Sequence, residues 1–140
     1  MVQFATQEWL DEYRERINSS PVYREALQSW EGTIVYLFEA EEGLFPRTRC
    51  ALLDVWRGEC RGARLVEEAD ALVANAPLLI RAPYTRWKQL VRRELDPVRA
   101  LMQGLLRFRG DMRTIVRNVR AQSQLFTLAG EIPTEFPDDD

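Results

Sequence analysis

The segment that decides the fold is LDPVRALMQGLLRFRGD, residues 95–111. Asp96 followed by Pro97 is typical of a helix start, with the aspartate as N-cap and the proline in the first helical position. Gly104 is suited to end this helix, because glycine adopts the left-handed conformation of helix C-termini without a steric penalty. The segment therefore predicts a short helix over 97–103, followed at once by another element.

After this helix, alternating apolar and basic residues predict a strand over 105–109. Gly110-Asp111 ends the strand, and Asp111 is placed to cap the longest predicted helix, 111–130. Working outward from this segment, hydrophobic periodicity and turn residues predict helices at 6–18, 84–94 and from 20 to a break at 30, and strands at 33–40, 47–57, 60–66 and within 70–82. This order predicts an α+β domain in which short turns join consecutive, mostly antiparallel strands.

The composition is that of a globular protein, with 46% hydrophobic and 29% charged residues in 140. It predicts a single domain over 1–140, with an acidic C-terminal tail at 131–140. Histidine is absent, which removes the commonest general base and a usual zinc ligand, so we predict no catalytic residue, no metal site and no cofactor. Cys50 and Cys60 are predicted to lie too far apart for a disulfide. No apolar run is long enough to span a membrane and the first residues lack a signal-peptide layout, so we expect a cytoplasmic location.

The charges are unevenly distributed along the chain. The net charge is −3, yet residues 81–120 contain eleven basic and three acidic side chains, a balance of +8. Such asymmetry often indicates contact with an anionic surface. The sequence pI of about 5.2 and the lack of aromatic residues among the basic ones argue against nucleic acid as the partner.

Three groups of residues make the chain resemble the sterol carrier protein 2 family of small lipid-binding domains, and in particular its freestanding prokaryotic members. They are Trp30-Glu31-Gly32, the turn Gly58-Glu59-Cys60, and the more specific set Leu95-Asp96-Pro97, Ala100-Leu101, Gly104 and Gly110-Asp111. The chain departs from the family at Gly104-Leu105-Leu106-Arg107-Phe108, where lysines are common. The resemblance implies a five-stranded, mainly antiparallel sheet with about five helices packed on one face. It also implies an enclosed apolar tunnel for sterols, fatty acids, fatty acyl-CoA or phospholipids, and no catalysis.

The resemblance and the apolar periodicity together predict which side chains line the tunnel. The predicted lining comes from one strand face and from the helices and strand of the second half: Ile34, Tyr36, Phe38, Leu101, Met102, Leu106, Phe108, Met112, Ile115, Val116, Val119 and Phe126. An ordinary packed core would contain the same residue types, and this alternative stays open. Arg113, Arg117 and Arg120 lie opposite the apolar stripe of the last predicted helix, so they form either a solvated face or a contact with an anionic membrane surface.

Three hypotheses about function follow. The first is a protein that binds a long apolar lipid, with or without transferring it, and touches an anionic membrane transiently. The second is a non-catalytic accessory or scaffold protein of a lipid or quinone biosynthetic assembly. The third is an enzyme that acts on acyl chains. The sequence leaves the oligomeric state open, and a homodimer is one alternative.

Overall fold

The computed structural model describes residues 1–139, with the backbone alone at Ile115. The helices are α1 (Gln7–Asn18), α2 (Pro21–Ala26), α3 (Ala71–Ala74), α4 (Tyr84–Val91), α5 (Pro97–Met102), α6 (Met112–Arg117) and α7 (Val119–Ala129). The strands are β1 (Val2–Gln3), β2 (Glu31–Glu39), β3 (Arg49–Trp56), β4 (Glu59–Val66), β5 (Leu78–Pro83), β6 (Arg107–Gly110) and β7 (Thr134–Glu135).

The main sheet contains five strands in the order β4-β3-β2-β5-β6. Neighbouring strands run antiparallel except β2 and β5, which are parallel. The central strand β2 is buried continuously from Ile34 to Phe38, as expected of a strand covered on both faces. The predicted α+β class and the mainly antiparallel five-stranded sheet are therefore confirmed.

One face of the sheet is covered by α1, α2, α4, α5 and α7, which all contribute buried side chains to the main core. Three of these helices begin where the sequence predicts a helix start, each after an N-cap residue. Side-chain oxygens of Thr6, Ser20 and Asp96 accept hydrogen bonds from backbone N–H groups three residues on, at 3.2, 3.2 and 3.0 Å. The caps thus set where α1, α2 and α5 start.

The opposite face of the sheet carries α3, which the sequence did not predict. Residues 70–82 were expected to contain a strand only, with every helix on the other face. Asp70 starts α3 by accepting a hydrogen bond from the Leu72 N–H at 2.8 Å. The helix contributes Val73 to a second, smaller core, whose other members are Val35, Leu52, Ala76 and Leu79. Because Val35, Leu52 and Leu79 are apolar strand residues that face away from the main core, they require a cover of their own.

The start of β5 is the point where two glycine-containing motifs of the sequence meet. A Cβ atom placed on Gly32 of β2 would lie 2.7 Å from Cγ of Pro77, and one on Gly110 of β6 would lie 2.6 Å from the Pro77 carbonyl oxygen. Both glycines also have positive φ, 144° and 157°. Glycine is therefore needed at both positions for β2 and β6 to close around β5.

We expect the substitution Gly110→Ala to lower the free energy of unfolding by about 1–3 kcal/mol, because the backbone at Gly110 is strained for an L-residue and the new methyl group would overlap Pro77. Urea denaturation of both proteins measures this change. The matched control is Gly62→Ala in β4, where an added Cβ meets no atom within 4 Å. Equal transition midpoints for the two variants would contradict this account of Gly110.

The predicted helix over 111–130 is two helices, α6 and α7, that meet at Asn118. The Asn118 side chain donates a hydrogen bond to the Thr114 carbonyl oxygen at 2.7 Å, and the backbone there has φ −108° and ψ 16°. An asparagine that bonds to the preceding turn competes with regular helix geometry. Asp111, the predicted cap residue, accepts a hydrogen bond from the Thr114 hydroxyl at 2.9 Å. A single apolar stripe therefore does not run through both helices.

The two ends of the chain form a second, two-stranded parallel sheet from β1 and β7. Ile132 and Phe136 of the C-terminal tail are both buried in the main core. Lys88 holds the tail through ion pairs to Asp138 and Asp139 at 3.0 and 2.6 Å. Burial alone would raise the pKa of Asp138, but hydrogen bonds from the Tyr84 hydroxyl and from Lys88 outweigh it and hold this pKa below its ordinary value.

Candidate functional site

A small apolar cavity lies where α5, β6 and α7 converge, and its volume is about 20 Å³. The side chains around it carry no ionisable group. They are Pro97, Val98, Leu101, Phe108, Val119, Gln122, Ser123 and Phe126. Leu101, Phe108, Val119 and Phe126 belong to the set that the sequence predicts as tunnel lining, so the structure brings these four together.

Local sequence explains how the cavity walls are positioned. The Asp96 cap fixes the start of α5, and the left-handed conformation of Gly104, with φ 73°, turns the chain back at its end. The carbonyl oxygen of Ala100 then accepts hydrogen bonds from the N–H groups of Leu105 and Leu106 at 2.9 and 3.3 Å. In this arrangement α5 is tied to the start of β6, which places Leu101 and Phe108 on neighbouring walls.

Deeper in the domain, aromatic side chains fill the space between the sheet and α7. The rings of Tyr36 and Phe126 stack with centroids 5.6 Å apart, and Trp87 contacts Tyr36 and Phe38 at 5.0 and 4.8 Å. Ile34 and Leu106 are buried in the same core. The strand face was expected to oppose the last helix across a tunnel, whereas in this structure Tyr36 and Phe126 are in direct contact. The open space lies further out, beneath α5.

Three residues of the predicted lining lie at the surface instead. Met102, Met112 and Val116 are 81%, 64% and 68% exposed. The cause is the break at Asn118, which takes α6 out of phase with α7, together with the position of Met102 at the last turn of α5. The side chain of Ile115, also predicted to line the tunnel, lies outside the described residues.

The three predicted basic residues, Arg113, Arg117 and Arg120, are exposed. Arg113 and Arg117 lie in α6, and Arg120 is in the first turn of α7. Exposed methionine, valine and arginine side chains therefore occur together on and around α6, immediately outside the cavity.

The sequence prediction did not include four of the lining residues: Pro97, Val98, Gln122 and Ser123. Gln122 lies three residues after Val119 and four before Phe126, a spacing that places all three on one side of α7. The helical spacing alone therefore places Gln122 on the same side of α7 as two predicted lining residues. Its polar side chain, however, is typical of a solvated position, and only the structure shows that it is 4% exposed.

The cavity adjoins a larger open groove between α4, α5 and α7, with a volume of about 590 Å³. The groove shares Pro97, Ser123 and Phe126 with the cavity. Its outer part is lined by charged side chains, among them Arg93, Glu94 and Arg99. An apolar inner region thus leads into a polar outer one.

The buried titratable groups of the domain are held in their neutral forms. Burial raises the pKa of Cys50 and of Cys60 to about 11, and neither forms a disulfide. Burial likewise raises the pKa of Tyr13 and Tyr36, whose hydroxyl oxygens lie 3.3 Å apart. A protonated thiol is a weak nucleophile, so these groups act as packing and hydrogen-bonding residues at neutral pH.

Within the described part of the chain, no three side chains of histidine, cysteine, aspartate or glutamate are grouped to hold a metal ion. Over the same residues, no helix has both the length and the apolar character needed to cross a bilayer.

The fold and the cavity define the class of this protein: an α+β domain with helices on one face of a mixed sheet, in which α5, β6 and α7 line a small, uncharged and mostly apolar cavity. The family model described as the SCP-2 sterol transfer family matches residues 10–122. The chain therefore belongs to the SCP-2 sterol transfer family, a family of lipid-binding and lipid-transfer domains, and the resemblance drawn from the sequence is confirmed.

Solved structures agree with this assignment. A crystal structure of sterol carrier protein 2 is 32% identical, with a TM-score of 0.83 over 93% of this chain and 99% of that chain. The solution structure of a conserved hypothetical protein from Thermus thermophilus, described as possibly a sterol carrier protein, is 30% identical, with a TM-score of 0.81 over 96% and 93% of the two chains. The UbiJ-SCP2 ubiquinone synthesis protein shares the fold, at 17% identity and a TM-score of 0.50 over 91% and 89%. A comparison with curated proteins finds no match.

Proposed function

We propose that this protein binds a long apolar lipid between α5, β6 and α7 and transfers it, without catalysing a reaction on it. The observation that carries the proposal is the uncharged apolar lining of the cavity in a domain of the SCP-2 family. Removal of apolar surface from water supplies about 25 cal/mol per Å² of area buried. Such a site needs shape and apolar area, and it needs neither an acid nor a base.

The cavity is too small for a lipid and must become larger when one enters. Pockets for drug-sized ligands are typically about 300–1,000 Å³. The cavity of about 20 Å³ has room for about one water molecule. Together with the adjoining groove the site reaches the usual range, provided that the wall between α5 and α7 moves outward.

The wall at this place is the loosely packed part of the helical layer. Ala100 is the buried residue of α5, and none of the α6 side chains that the structure describes is buried. Helices with few buried contacts open at a lower free energy than core elements such as α1 or α7. We therefore propose that α5 and α6 move away from α7 to admit the lipid, while Ile34, Tyr36, Phe38 and Leu106 remain as the packed floor.

The surface of α6 and the residues next to it would then contact the donor or acceptor membrane. Arg113, Arg117 and Arg120 are exposed and can pair with anionic headgroups, while Met102, Met112 and Val116 present apolar side chains beside them. A basic and apolar surface of this composition is suited to the boundary between headgroups and acyl chains. Lipid could pass from the bilayer to the cavity without crossing water.

Native mass spectrometry of the protein purified from its expression host, followed by organic extraction, tests the proposal. We expect an added mass on the folded protein that disappears on extraction and is identified as a lipid. A protein that contains no lipid, and that also fails to bind a fluorescent fatty acid added afterwards, would overturn lipid binding.

That negative result would favour the second hypothesis, a non-catalytic accessory protein of a lipid or quinone biosynthetic assembly. The observation in its favour is the shared fold of the UbiJ-SCP2 ubiquinone synthesis protein. In such a role the protein would bind its partners through the surface of the domain, and the cavity would hold no ligand.

A further inference from the structure

Gln122 is a buried polar residue on the cavity-facing side of α7. It is 4% exposed, and among the described residues it is the only amide-bearing or charged side chain that is buried. Its Nε2 and Oε1 atoms are both shielded from solvent, and neither has a hydrogen-bond partner within the described part of the chain. A buried amide with both ends unpaired is costly, and such groups in native proteins are normally satisfied by a ligand or a water.

The chemistry of the amide defines its partner. Nε2 donates and Oε1 accepts, so one group can satisfy both atoms only if it accepts and donates at once. A hydroxyl group does this. An ionised carboxylate or phosphate only accepts, and it would leave Oε1 unpaired.

The surroundings of Gln122 exclude an anion for a second reason. The residues that line the cavity carry no positive charge, so a buried anion would have no counter-ion there. Arg93 and Arg99 lie in the adjoining groove, where an anionic headgroup can remain in contact with water. Anionic lipids therefore gain less from Gln122 than an uncharged lipid with a hydroxyl group does.

We propose that Gln122 is a specificity-determining residue that binds the hydroxyl group of an uncharged lipid, so that the protein prefers long-chain alcohols to ionised fatty acids of equal length. The proposal rests on the proposed function, because it assigns the polar contact within the same lipid site. Without a lipid, the volume of the cavity admits about one water molecule as the alternative partner of the amide.

The test compares decanol with decanoate at about pH 8, where the acid is ionised because the pH is well above a carboxyl pKa of about 4. Each ligand displaces the uncharged fluorescent probe 1-aminoanthracene from the purified full chain. For the unmodified protein we expect decanol to bind at least about tenfold more tightly than decanoate. This preference is measured without any variant, so a substitution that fails to fold cannot hide the answer.

The substitution Gln122→Leu, of similar size and without hydrogen-bonding groups, is expected to weaken decanol binding by about tenfold and leave decanoate binding unchanged. Gln124→Leu, the same change two residues on in α7 at a position outside the cavity lining, is the matched control and is expected to keep the preference. Gln122→Met provides a second apolar variant.

Two results would overturn the inference alone: an unmodified protein that binds both ligands without preference, or a Gln122→Leu variant that keeps the decanol-to-decanoate ratio. The second would show that the amide is satisfied by water. An unmodified protein that binds neither ligand would overturn the proposed function, and the inference with it.

Discussion

Replacing Val119 with tryptophan is expected to weaken the binding of a fluorescent fatty acid by at least about tenfold, or about 1.4 kcal/mol. Val119 lies half-buried in the first turn of α7, in the wall of a cavity that has room for about one water molecule. An indole at this position fills the space that a lipid must enter and blocks the separation of α5 from α7. Fluorescence titration gives the affinity, and thermal unfolding monitored by circular dichroism shows whether the fold is retained.

The matched control is Leu72→Trp in α3. Leu72 is an exposed leucine on the opposite side of the sheet from the cavity, so the same type of enlargement there should leave binding unchanged. If Val119→Trp is folded and binds as tightly as the unmodified protein, the lipid does not enter between α5 and α7.

Reversing two charges on α6, Arg113→Glu together with Arg117→Glu, is expected to slow lipid transfer to anionic vesicles by more than about tenfold at low salt. A basic residue close to an anionic membrane contributes about 1 kcal/mol to binding, and reversal replaces that attraction with repulsion. A vesicle assay with a fluorescent lipid, comparing anionic with zwitterionic acceptors, measures the rate. Transfer to zwitterionic vesicles and the affinity for free lipid should stay the same.

A control with the same change in net charge distinguishes a local contact from a general electrostatic effect. Arg47 and Arg64 are exposed arginines outside α6, in the loop after β2 and in β4. The two double variants are therefore also compared at about 0.1 M salt, where charges are screened within about 10 Å, and the double reversal of Arg47 and Arg64 should leave transfer nearly unchanged there. Equal slowing by the two double variants would contradict a membrane contact through α6.

The elements that the sequence predicts well are those determined by neighbouring residues. The Asp96 cap, Pro97 and the left-handed turn at Gly104 act within a few residues, and all occupy the expected places. The prediction for β2 rests on a run of β-branched and aromatic residues, and the pairing of this strand on both sides follows from its burial. Such local interactions can be identified from one sequence.

The predicted and observed positions of the site residues differ where distant parts of the chain decide the packing. Hydrophobic periodicity assumes one continuous helix and so places Met112 and Val116 on the same stripe as Phe126. The break between α6 and α7 at Asn118, which the pattern does not show, separates these residues. Whether Tyr36 and Phe126 leave a gap depends on the packing of β2 against α7, which lie far apart in sequence. The structure also shows the burial of Gln122, which an amide side chain on a helix gives no reason to expect.

The pairing of β1 with β7 has a consequence for the order of folding during synthesis. Residue 2 pairs with residue 134, so these strands close nearly the whole chain into one loop. The entropic cost of closing a loop grows only with the logarithm of its length, but the contact cannot form until both ends are available. Phe4, whose ring meets Phe136 at 5.4 Å, therefore lacks this partner until residues 134–136 have left the ribosome. Phe4 is therefore among the last aromatic residues of this domain to complete its packing, and its ring stays partly unpacked until the segment that contains Phe136 is available.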